Sequence, residues 1–469
     1  MKKFNLSLSF LFIFLICAYN SNCEQKKVAL IGTGYVGLIA GAGLADKGHK
    51  IVCVDIDAKK IADLNNGIMP IYEPGLQDLI NKNQENICFT TDIRKAVNDS
   101  EIIIIAVGTP TDENYESDLR ALNAVANSIG KVLQDSDDYK VICIKSTVPV
   151  GTNYKIKDLI KTYTDKNNFD MVSNPEFLRA GSAIKDLYEK NPILIGSDSE
   201  KALDIMEELY DPFIKNGITL IKSKDFATAE MAKYAWNSLV AVKVSYVNEL
   251  SRFCNSCNAD LFKVIETISF GDSVLPFKSV RPGPGLGGSC LPKDTRAFLK
   301  MANVRGVDLS IIKTVIEASD LQQEYVVNQL YSLLSVSEDL NSSDCVKDKS
   351  IAILGLSFKA NTDDIRISPA IKIIELLLQK GANIKAYDPQ ATENMRKLFP
   401  NITYCNSVMQ AVDCVDAIVA LTDWKDIKNM DFKVVSQLVK NKIIVDVRNM
   451  FDPAILIANG FKFANLGRR

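Results

Sequence analysis

The sequence contains almost no histidine: His49 is the single one among 469 residues. It lies between Gly48 and Lys50, before an apolar segment, and we interpret it as a turn residue. Without a second histidine, a multi-histidine metal site is excluded, and a serine or cysteine nucleophile paired with histidine is not expected. Any general base must therefore be an aspartate, glutamate, lysine, tyrosine or thiolate.

The chain also lacks an excess of either charge and a regular cysteine framework. Its 55 Lys and Arg residues balance 57 Asp and Glu residues, so no basic field indicates a nucleic-acid partner. The 11 cysteines are scattered, and several, such as Cys53 and Cys143, lie in apolar segments typical of reduced core thiols. Cys254 and Cys257 form a lone CxxC, which predicts no metal site but leaves a redox pair open.

The apolar run at the N-terminus is too short to predict a membrane-spanning helix. Lys2 and Lys3 precede it, so residues 1–25 have the basic and hydrophobic regions of a signal-like segment. The rest of the composition, 47% hydrophobic and 24% charged, is ordinary for a globular protein. We expect a cytoplasmic protein, while the N-terminal segment leaves a membrane anchor or export open.

A glycine-rich turn follows the first predicted strand. Gly32, Gly34 and Gly37 form the pattern GxGxxG, which is followed by a small-residue helix and by a second strand that ends in Asp55. In this setting the glycines permit a tight turn, close approach of a pyrophosphate and packing of the helix on the sheet. Asp55 would accept the ribose hydroxyls and repel the 2′-phosphate of NADP, so the predicted cofactor is NAD.

Polar turns end further predicted strands. Thr109 follows the apolar residues 101–107, Thr147 follows 141–144, and Glu176 lies in a turn of the same form. Each turn is also compatible with a simple helix cap. Because ligands bind at the carboxyl ends of strands in doubly wound sheets, we expect these side chains near a ligand.

Residues 225–270 contain neither glycine nor proline and predict a long central helix, with a break near residues 255–258. Lys233 and Asn237 are four residues apart and share one face of this helix. One interpretation is a lysine stem that covers apolar surface. The other is a cation and an amide donor that point together at an oxyanion.

After a polar linker, residues 350–449 repeat the strand-helix pattern of the first domain without its GxGxxG turn. Lys359 and Arg448 lie where phosphate would bind and Asp388 where a ribose would, which suits a nucleotide other than NAD. The predicted fold is α/β, with two Rossmann-like doubly wound domains joined by a long central helix. The predicted domains are NAD-binding (26–222), central helical (223–336) and C-terminal, binding the second nucleotide (337–469).

The turn from Gly287 to Asp294 places a thiol, Cys290, beside Lys293 and Asp294. A nearby cation can stabilise a thiolate, and a nucleophile needs a group that moves protons. Alone, the turn could equally be a surface loop. Combined with an NAD site and a second nucleotide domain, it predicts oxidation of an alcohol to an acid through a thiohemiacetal and a thioester on Cys290.

Several motifs resemble the UDP-glucose/GDP-mannose dehydrogenase family of nucleotide-sugar 6-dehydrogenases, across residues 27–449. They are GTGYVGL, GTPTD, KSTVPVGT, SNPEFLRAGSAIKDL, AEMAKYAWN, GGSCLPKD, LGLSFKANTDDIR and VDVRN. The resemblance implies NAD-dependent, four-electron oxidation of UDP-glucose to UDP-glucuronate, a step of polysaccharide biosynthesis. It also implies a homodimer or larger homo-oligomer formed through the central helix.

The resemblance implies roles for individual residues. The expected catalytic residues are Cys290 as nucleophile, Lys233 and Asn237 on the oxyanions, and Asp294, Glu176 and Thr147 for water and protons. The residues expected to contact NAD are Gly32, Gly34, Tyr35, Val36, Gly37, Asp55, Lys60, Thr109, Thr147 and Arg366. The residues expected to contact the substrate are Glu176, Phe177, Leu178, Lys233, Asn237, Gly287, Lys293, Lys359 and Arg448.

The sequence departs from the family pattern at two positions. Ala180 replaces a glutamate found in many relatives, and Val274 occupies the place of an expected sugar-contacting arginine. GDP-mannose and UDP-N-acetylhexosamines therefore remain alternative substrates. Two alternatives lie outside this reaction: a two-electron hydroxyacid dehydrogenase that does not use Cys290, and a non-catalytic NAD-binding redox sensor that uses Cys254 and Cys257.

Overall fold

The computed structural model describes residues 24–189, 191–269, 280–335 and 343–468. Two mainly parallel sheets, one in each half of the chain, are joined by a helical region. Most of the signal-like segment, up to residue 23, and the departure at Val274 lie outside the described residues. Within those ranges, no helix is both long enough and apolar enough to cross a membrane.

Eight strands form the first sheet within the described ranges. They are β1 (Lys27–Ile31), β2 (Lys50–Val54), β3 (Ile87–Thr90), β4 (Ile102–Ile105), β5 (Lys140–Ile144), β6 (Phe169–Ser173), β7 (Ile193–Gly196) and β8 (Leu220–Ser223). Their order across the sheet is β3-β2-β1-β4-β5-β6-β7-β8. All neighbours are parallel except β6 and β7, which meet antiparallel through Ser173 and Gly196.

The central strands of this sheet are apolar on both faces because helices cover both. Ile102, Ile103, Ile104 and Ile105 of β4 are fully buried, as expected for a parallel strand between two helical layers. The helices of this half are α1 (Tyr35–Asp46), α2 (Ala58–Asn65), α3 (Leu76–Lys82), α4 (Ile93–Asn98), α5 (Arg120–Asp135), α6 (Thr152–Lys161), α7 (Ala183–Asp186) and α8 (Glu200–Ile214).

The central region is dominated by one helix of 32 residues, α9 (Phe226–Cys257). Asp225 caps its start by accepting from the Thr228 amide, and Asn258 ends it in a left-handed conformation, φ +58°. The predicted long helix and its break are thus confirmed. The other helices of the region are α10 (Leu261–Ile268), α11 (Leu291–Val304) and α12 (Ser310–Leu334).

The second sheet repeats the topology of the first six strands. In the described residues its strands are β9 (Ser350–Leu354), β10 (Asn383–Tyr387), β11 (Thr403–Tyr404), β12 (Ala417–Ala420), β13 (Ile443–Asp446) and β14 (Lys462–Asn465). Their order is β11-β10-β9-β12-β13-β14, all parallel. A 3₁₀ helix (Ser343–Val346) precedes this sheet, and its helices are α13 (Pro369–Gln379), α14 (Thr392–Arg396), α15 (Val408–Val412), α16 (Lys425–Lys428), α17 (Phe432–Leu438) and α18 (Pro453–Ala458).

Both sheets therefore have the doubly wound strand order of a Rossmann fold, with a crevice at the carboxyl ends of their central strands. The predicted fold class is confirmed. The crevices bring together the turn after β1, the turns after β4, β5 and β6, the start of α11, and the turn after β9.

Candidate active site

The turn between β1 and α1 can be built only with glycine at two positions. Gly32 has a φ of +104°, and a Cβ there would lie 2.7 Å from a backbone oxygen at the end of β4. A Cβ at Gly37 would lie 1.8 Å from the Gly32 carbonyl oxygen. Gly34 caps α1 and faces open space, so a pyrophosphate could reach the amides around Tyr35 and Val36, the first residues of the helix.

Asp55, at the end of β2, is held by a network of donors. Its carboxylate accepts hydrogen bonds from the Thr33 amide (2.9 Å), the Thr33 hydroxyl (2.7 Å), Lys60 Nζ (2.9 Å) and the Asp57 amide (3.1 Å). Although burial acts in the opposite direction, these bonds lower the pKa of Asp55 to about 2. An ionised acceptor beside an open glycine turn fits a dinucleotide with free ribose hydroxyls.

Replacing Asp55 with asparagine is expected to weaken the preference for NAD over NADP. The substitution removes the carboxylate that repels a 2′-phosphate and frees the Lys60 ammonium to meet that phosphate. We expect the ratio of kcat/KM for NAD to kcat/KM for NADP to fall by about tenfold or more, the effect of one charge-assisted contact. Steady-state kinetics with both cofactors test this prediction. The double variant Asp55→Asn, Lys60→Met should lose the increase in kcat/KM for NADP. An unchanged ratio in Asp55→Asn would contradict the assignment.

Cys290 is the N-cap residue of α11, and the residue as a whole is exposed. Ser289 Oγ lies 3.7 Å from the sulfur. Protein atoms surround the thiol closely, so burial raises its pKa; the charge of Glu176 acts in the same direction and that of Lys233 opposes it. The unliganded site therefore favours the thiol, while a helix N-terminus and one ammonium are available to stabilise a thiolate.

Lys233 is 3% exposed and points from α9 at the Glu176 turn. Its Nζ lies 3.4 Å from Glu176 Oε1 and 5.3 Å from the centre of the Phe177 ring. Burial alone would lower the pKa of Lys233, but Glu176, Cys290 and Asp294 together raise it. The ammonium is thus kept charged beside the thiol.

Asp294, on the first turn of α11, is 1% exposed and contacts the same cluster. Asn237 Nδ2 donates to one of its oxygens at 2.5 Å, and Lys293 Nζ lies 2.6 Å from the other. Lys293, predicted to contact substrate, therefore forms an ion pair with Asp294. The structure brings the predicted catalytic residues of α9, α11 and the Glu176 turn into one place.

Thr147 and Thr109 lie in adjacent turns. Thr109 is buried, and its hydroxyl donates to the Thr147 carbonyl oxygen at 2.7 Å, which links the end of β4 to the end of β5. Arg366 donates to both carboxylate oxygens of Asp364, and these hydrogen bonds raise the pKa of Arg366. The charge of a Cys290 thiolate would also raise the pKa of Arg366, which indicates that the guanidinium lies on the cysteine side of the second domain.

The segment that follows Glu176 is attached to three parts of the molecule. Glu176 Oε2 accepts from the Leu178 amide at 2.5 Å, and the Phe177 ring meets Trp236 of α9 edge-on at 5.2 Å. The Ala180 carbonyl oxygen accepts from Lys359 Nζ at 3.0 Å, across the two domains. The replacement at Ala180 thus leaves a backbone oxygen that the second domain binds.

Glu73 is a site residue that sequence reasoning missed. It is 5% exposed, and its carboxylate accepts from the Tyr35 hydroxyl and from the amides of Gly181 and Ala183, both at 2.7 Å. It connects the predicted dinucleotide turn with the segment after Glu176. The only signal in the sequence was an acid between Tyr72 and Pro74, which a surface turn would also explain.

Arg448 lies at the end of β13 and faces the cysteine turn. It donates to the Leu421 and Phe358 carbonyl oxygens, both at 2.9 Å, and burial lowers its pKa. A Cβ added at Gly283 would lie 2.8 Å from its guanidinium. Phe358 also packs on Gly287, where a Cβ would lie 3.2 Å from it. Arg448 and Gly287 thus border one crevice.

Asp388 corrects one expectation, because it is not free to bind a ribose. It is 3% exposed, and one of its oxygens accepts from the amides of Leu356 and Ser357, the Ser357 hydroxyl and Trp424 Nε1. Its other oxygen accepts from two amides at the start of the next helix. Asp388 therefore holds the first turn of the second domain in place.

The described residues contain no group of three or more histidine, cysteine, aspartate or glutamate side chains arranged to hold a metal ion. Nine cysteines of these residues are free thiols. Cys254 is buried and Cys257 exposed, on the last turn of α9.

Comparison with known proteins identifies the family. Models of the UDP-glucose/GDP-mannose dehydrogenase family match residues 26–214 (NAD binding domain), 227–320 (central domain) and 352–453 (UDP binding domain). The UDP-glucose 6-dehydrogenase TuaD of Bacillus subtilis is 43% identical over 448 residues, 95% of this chain and 94% of that protein. The chain belongs to the UDP-glucose/GDP-mannose dehydrogenase family.

Solved structures of the UDP-glucose/GDP-mannose dehydrogenase family share its architecture. A UDP-glucose dehydrogenase from Pyrobaculum islandicum has a TM-score of 0.85 and 28% identity, covering 96% of this chain and 99% of that one. A UDP-D-ManNAc dehydrogenase from Pyrococcus horikoshii has a TM-score of 0.80 and 27% identity, covering 94% and 99%. As a member of this family the protein is an NAD-dependent dehydrogenase with a UDP-binding domain, which sets aside the non-catalytic redox sensor.

Proposed function

We propose that the protein is a UDP-glucose 6-dehydrogenase, which oxidises UDP-glucose to UDP-glucuronate with two molecules of NAD. One observation carries the proposal: the Cys290 thiol lies in a single crevice with Lys233, Asn237, Asp294 and Glu176, between an NAD-type turn and a second nucleotide domain. The relatives named UDP-glucose 6-dehydrogenase, 34–43% identical, support this choice of sugar.

Cys290 acts as the nucleophile. Bound NAD would supply the hydride acceptor, and two molecules in succession would take four electrons from the sugar carbon. Each oxidation also releases one hydroxyl proton, which the Glu176 and Asp294 carboxylates relay to water. Between these steps Cys290 Sγ adds to the aldehyde carbon while its proton passes to the aldehyde oxygen, and the second oxidation turns this thiohemiacetal into a thioester. Water then adds to the thioester carbon, the C–S bond breaks, and the sulfur regains its proton as the acid leaves.

The groups around Cys290 stabilise and relay charge. The Lys233 ammonium and the Asn237 amide stabilise the alkoxide formed when sulfur or water adds to the carbon. Asp294 lies on the first turn of the helix that Cys290 caps, where its carboxylate can take a proton from the attacking water. Glu176 and Thr147 orient that water and the sugar hydroxyl from the opposite wall.

The substrate lies between the domains. Phe177, Leu178 and Gly287 contact the sugar, and Lys293, Lys359 and Arg448 place cations near the diphosphate. Arg448 and Lys359 now donate to backbone carbonyl oxygens, which a substrate phosphate would replace as acceptors. Arg366 contacts NAD from the second domain.

Measuring the number of NADH molecules released per acid, with a panel of sugars, tests the proposal. UDP-glucose, GDP-mannose and the UDP-N-acetylhexosamines are each incubated with enzyme and NAD, and the acid is quantified by mass spectrometry. We expect two NADH per acid and the highest kcat/KM with UDP-glucose. One NADH per product would refute the four-electron reaction, while two NADH with another sugar would keep the reaction and change the substrate.

We also propose that two copies associate through α9. Leu239, Tyr246 and Phe253 are 42%, 46% and 70% exposed, and a spacing of seven residues places them on one face of the helix. Leu239→Glu with Phe253→Glu should convert a dimer or larger species into a monomer in light scattering after size-exclusion chromatography. Ile457→Glu, at an apolar position on α18 that is 65% exposed, should leave the mass unchanged. A monomeric wild-type protein would contradict the proposal.

A further inference from the structure

Lys145 is a buried lysine that the proposed reaction does not use. It follows β5 directly, and its amide donates to the Ile105 carbonyl oxygen, which keeps it in the sheet. The residue is 9% exposed, and its side chain reaches Asn174, at the base of the turn that carries Glu176. A lysine buried to this extent is found in proteins when its charge is paired or has a function.

Lys145 Nζ donates to one acceptor among the described residues, Asn174 Oδ1, at 3.0 Å. Asn174 is fully buried; its Oδ1 also accepts from the Tyr210 hydroxyl at 2.6 Å, and its Nδ2 donates to the Leu194 carbonyl oxygen at 2.8 Å. Because Asn174 lies two residues before Glu176, this network fixes the base of the turn that presents the Glu176 carboxylate.

The ammonium is surrounded by material of low polarity. Beside it lies a cavity of about 80 Å³, lined by Leu44, Tyr210 and Phe213 among others. Charges interact over longer distances where water is excluded. Burial lowers the pKa of Lys145, and the charges of Cys143 and Glu176 oppose this effect. The charge of Lys145 in turn acts on Glu176 and on Lys233, both members of the Cys290 cluster.

The net charge of the side chains around Cys290 depends on the ionisation of the sulfur. Counted as ions, Lys145, Lys233 and Lys293 are accompanied by two carboxylates, Glu176 and Asp294, because Asp364 is already paired with Arg366 and Asp186 with Arg179. The cluster therefore has one uncompensated positive charge while Cys290 is a thiol. It becomes neutral when the sulfur, or the oxygen of an adduct, is an anion.

We propose that Lys145 is a positioning residue whose buried ammonium fixes the Glu176 turn and balances the anion that forms at Cys290 during the reaction. The inference rests on the proposed function, since it assigns Cys290 as the site of that anion. The groups facing Lys145 are Cys143 on its own strand, Glu176, Lys233 on α9, Tyr210 on α8 and Asp186 on α7.

The experiment measures alkylation of Cys290 against pH in the full chain, by iodoacetamide labelling and mass spectrometry of the Cys290 peptide. In Lys145→Met we expect the midpoint of the alkylation profile to move upward on the order of one pH unit, the effect of removing one nearby buried charge. We expect kcat to fall by about tenfold, while KM for NAD stays within a factor of two. Alkylation needs no turnover, so it remains informative if the proposed reaction is wrong.

Three further variants separate charge from packing. Lys140→Met removes another buried lysine, 2% exposed, from the opposite end of β5, and should leave the midpoint in place. Tyr210→Phe removes the other donor to Asn174 without changing charge, and should also leave it in place. Asn174→Asp keeps the shape, neutralises the ammonium and should raise the midpoint as Lys145→Met does, which keeps the test available if Lys145→Met fails to fold. An unmoved midpoint in Lys145→Met or Asn174→Asp, or an equal shift in Lys140→Met, overturns the proposal.

Discussion

Replacing Cys290 with serine is expected to reduce the formation of UDP-glucuronate from UDP-glucose by at least about a thousandfold. A hydroxyl is a far weaker nucleophile than a thiolate, and no histidine lies nearby to activate it, since His49 is buried against Leu209 on another part of the first domain. NAD binding should persist because the turn at residues 32–37 is untouched. Mass spectrometry of the acid measures turnover, and calorimetric titration with NAD measures binding.

A matched control is Cys257→Ser, because Cys257 is also an exposed thiol but lies at the end of α9, outside the cluster. It should retain wild-type turnover. The pH dependence offers a second check: burial raises the pKa of the Cys290 thiol, so the thiolate fraction, and with it the alkylation rate, should increase as the pH rises above neutrality. Wild-type turnover in Cys290→Ser would exclude a thioester at this residue.

Replacing Lys233 with methionine is expected to reduce kcat by about 10²- to 10³-fold, the effect of removing one oxyanion-stabilising group. Lys233 is the ammonium closest to Glu176 Oε1 and interacts with Cys290 and Asp294. Methionine fills nearly the same volume without charge. The substitution should also destabilise the fold by about 3–5 kcal/mol, because two buried carboxylates lose a partner. Steady-state kinetics and urea unfolding measure the two effects.

The two effects of Lys233→Met can be separated. Adding Glu176→Gln removes the nearest carboxylate, so the double variant should recover part of the lost stability but none of the activity. Lys243→Met, on the same helix and outside the cluster, should behave as wild type. If the double variant regained turnover, Lys233 would have a structural role only.

The fold could be predicted where burial is extreme. The strands around β1 and β4 are apolar on both faces, and the absence of glycine and proline over residues 225–270 indicated α9. The interior strand β7, only four residues long, was not predicted. The other strands that the sequence did not reveal are edge strands: β3, β8 and β14 carry partly exposed, mixed residues, and β11 has only two. Without two buried faces these strands have no clear apolar pattern. The antiparallel contact between β6 and β7 is likewise set by tertiary packing.

Some residues of the candidate site could be predicted from the sequence and others could not. Residues within local motifs, such as Gly32, Gly37 and Cys290, are defined by sequence spacing and could be named in advance. Glu73 and Lys145 could not, because their partners lie 108 and 29 residues away at Gly181 and Asn174. For Asp388 the sequence predicted the position correctly, at the end of a strand, but not the role. Its carboxylate oxygens accept hydrogen bonds from backbone amides instead of from a ligand.

The bond between Lys359 and position 180 has a consequence for how the chain tolerates mutation. Because the acceptor is the main-chain oxygen of Ala180, any residue that keeps the local backbone would offer the same oxygen to the lysine. Gly181, with a φ of +77° and a Cβ position 2.7 Å from the Ala360 oxygen, has no such freedom. Positions 180 and 181 should thus differ sharply in the substitutions that they tolerate. Selection for activity from a library randomised at both should retain many residues at position 180 and glycine alone at position 181.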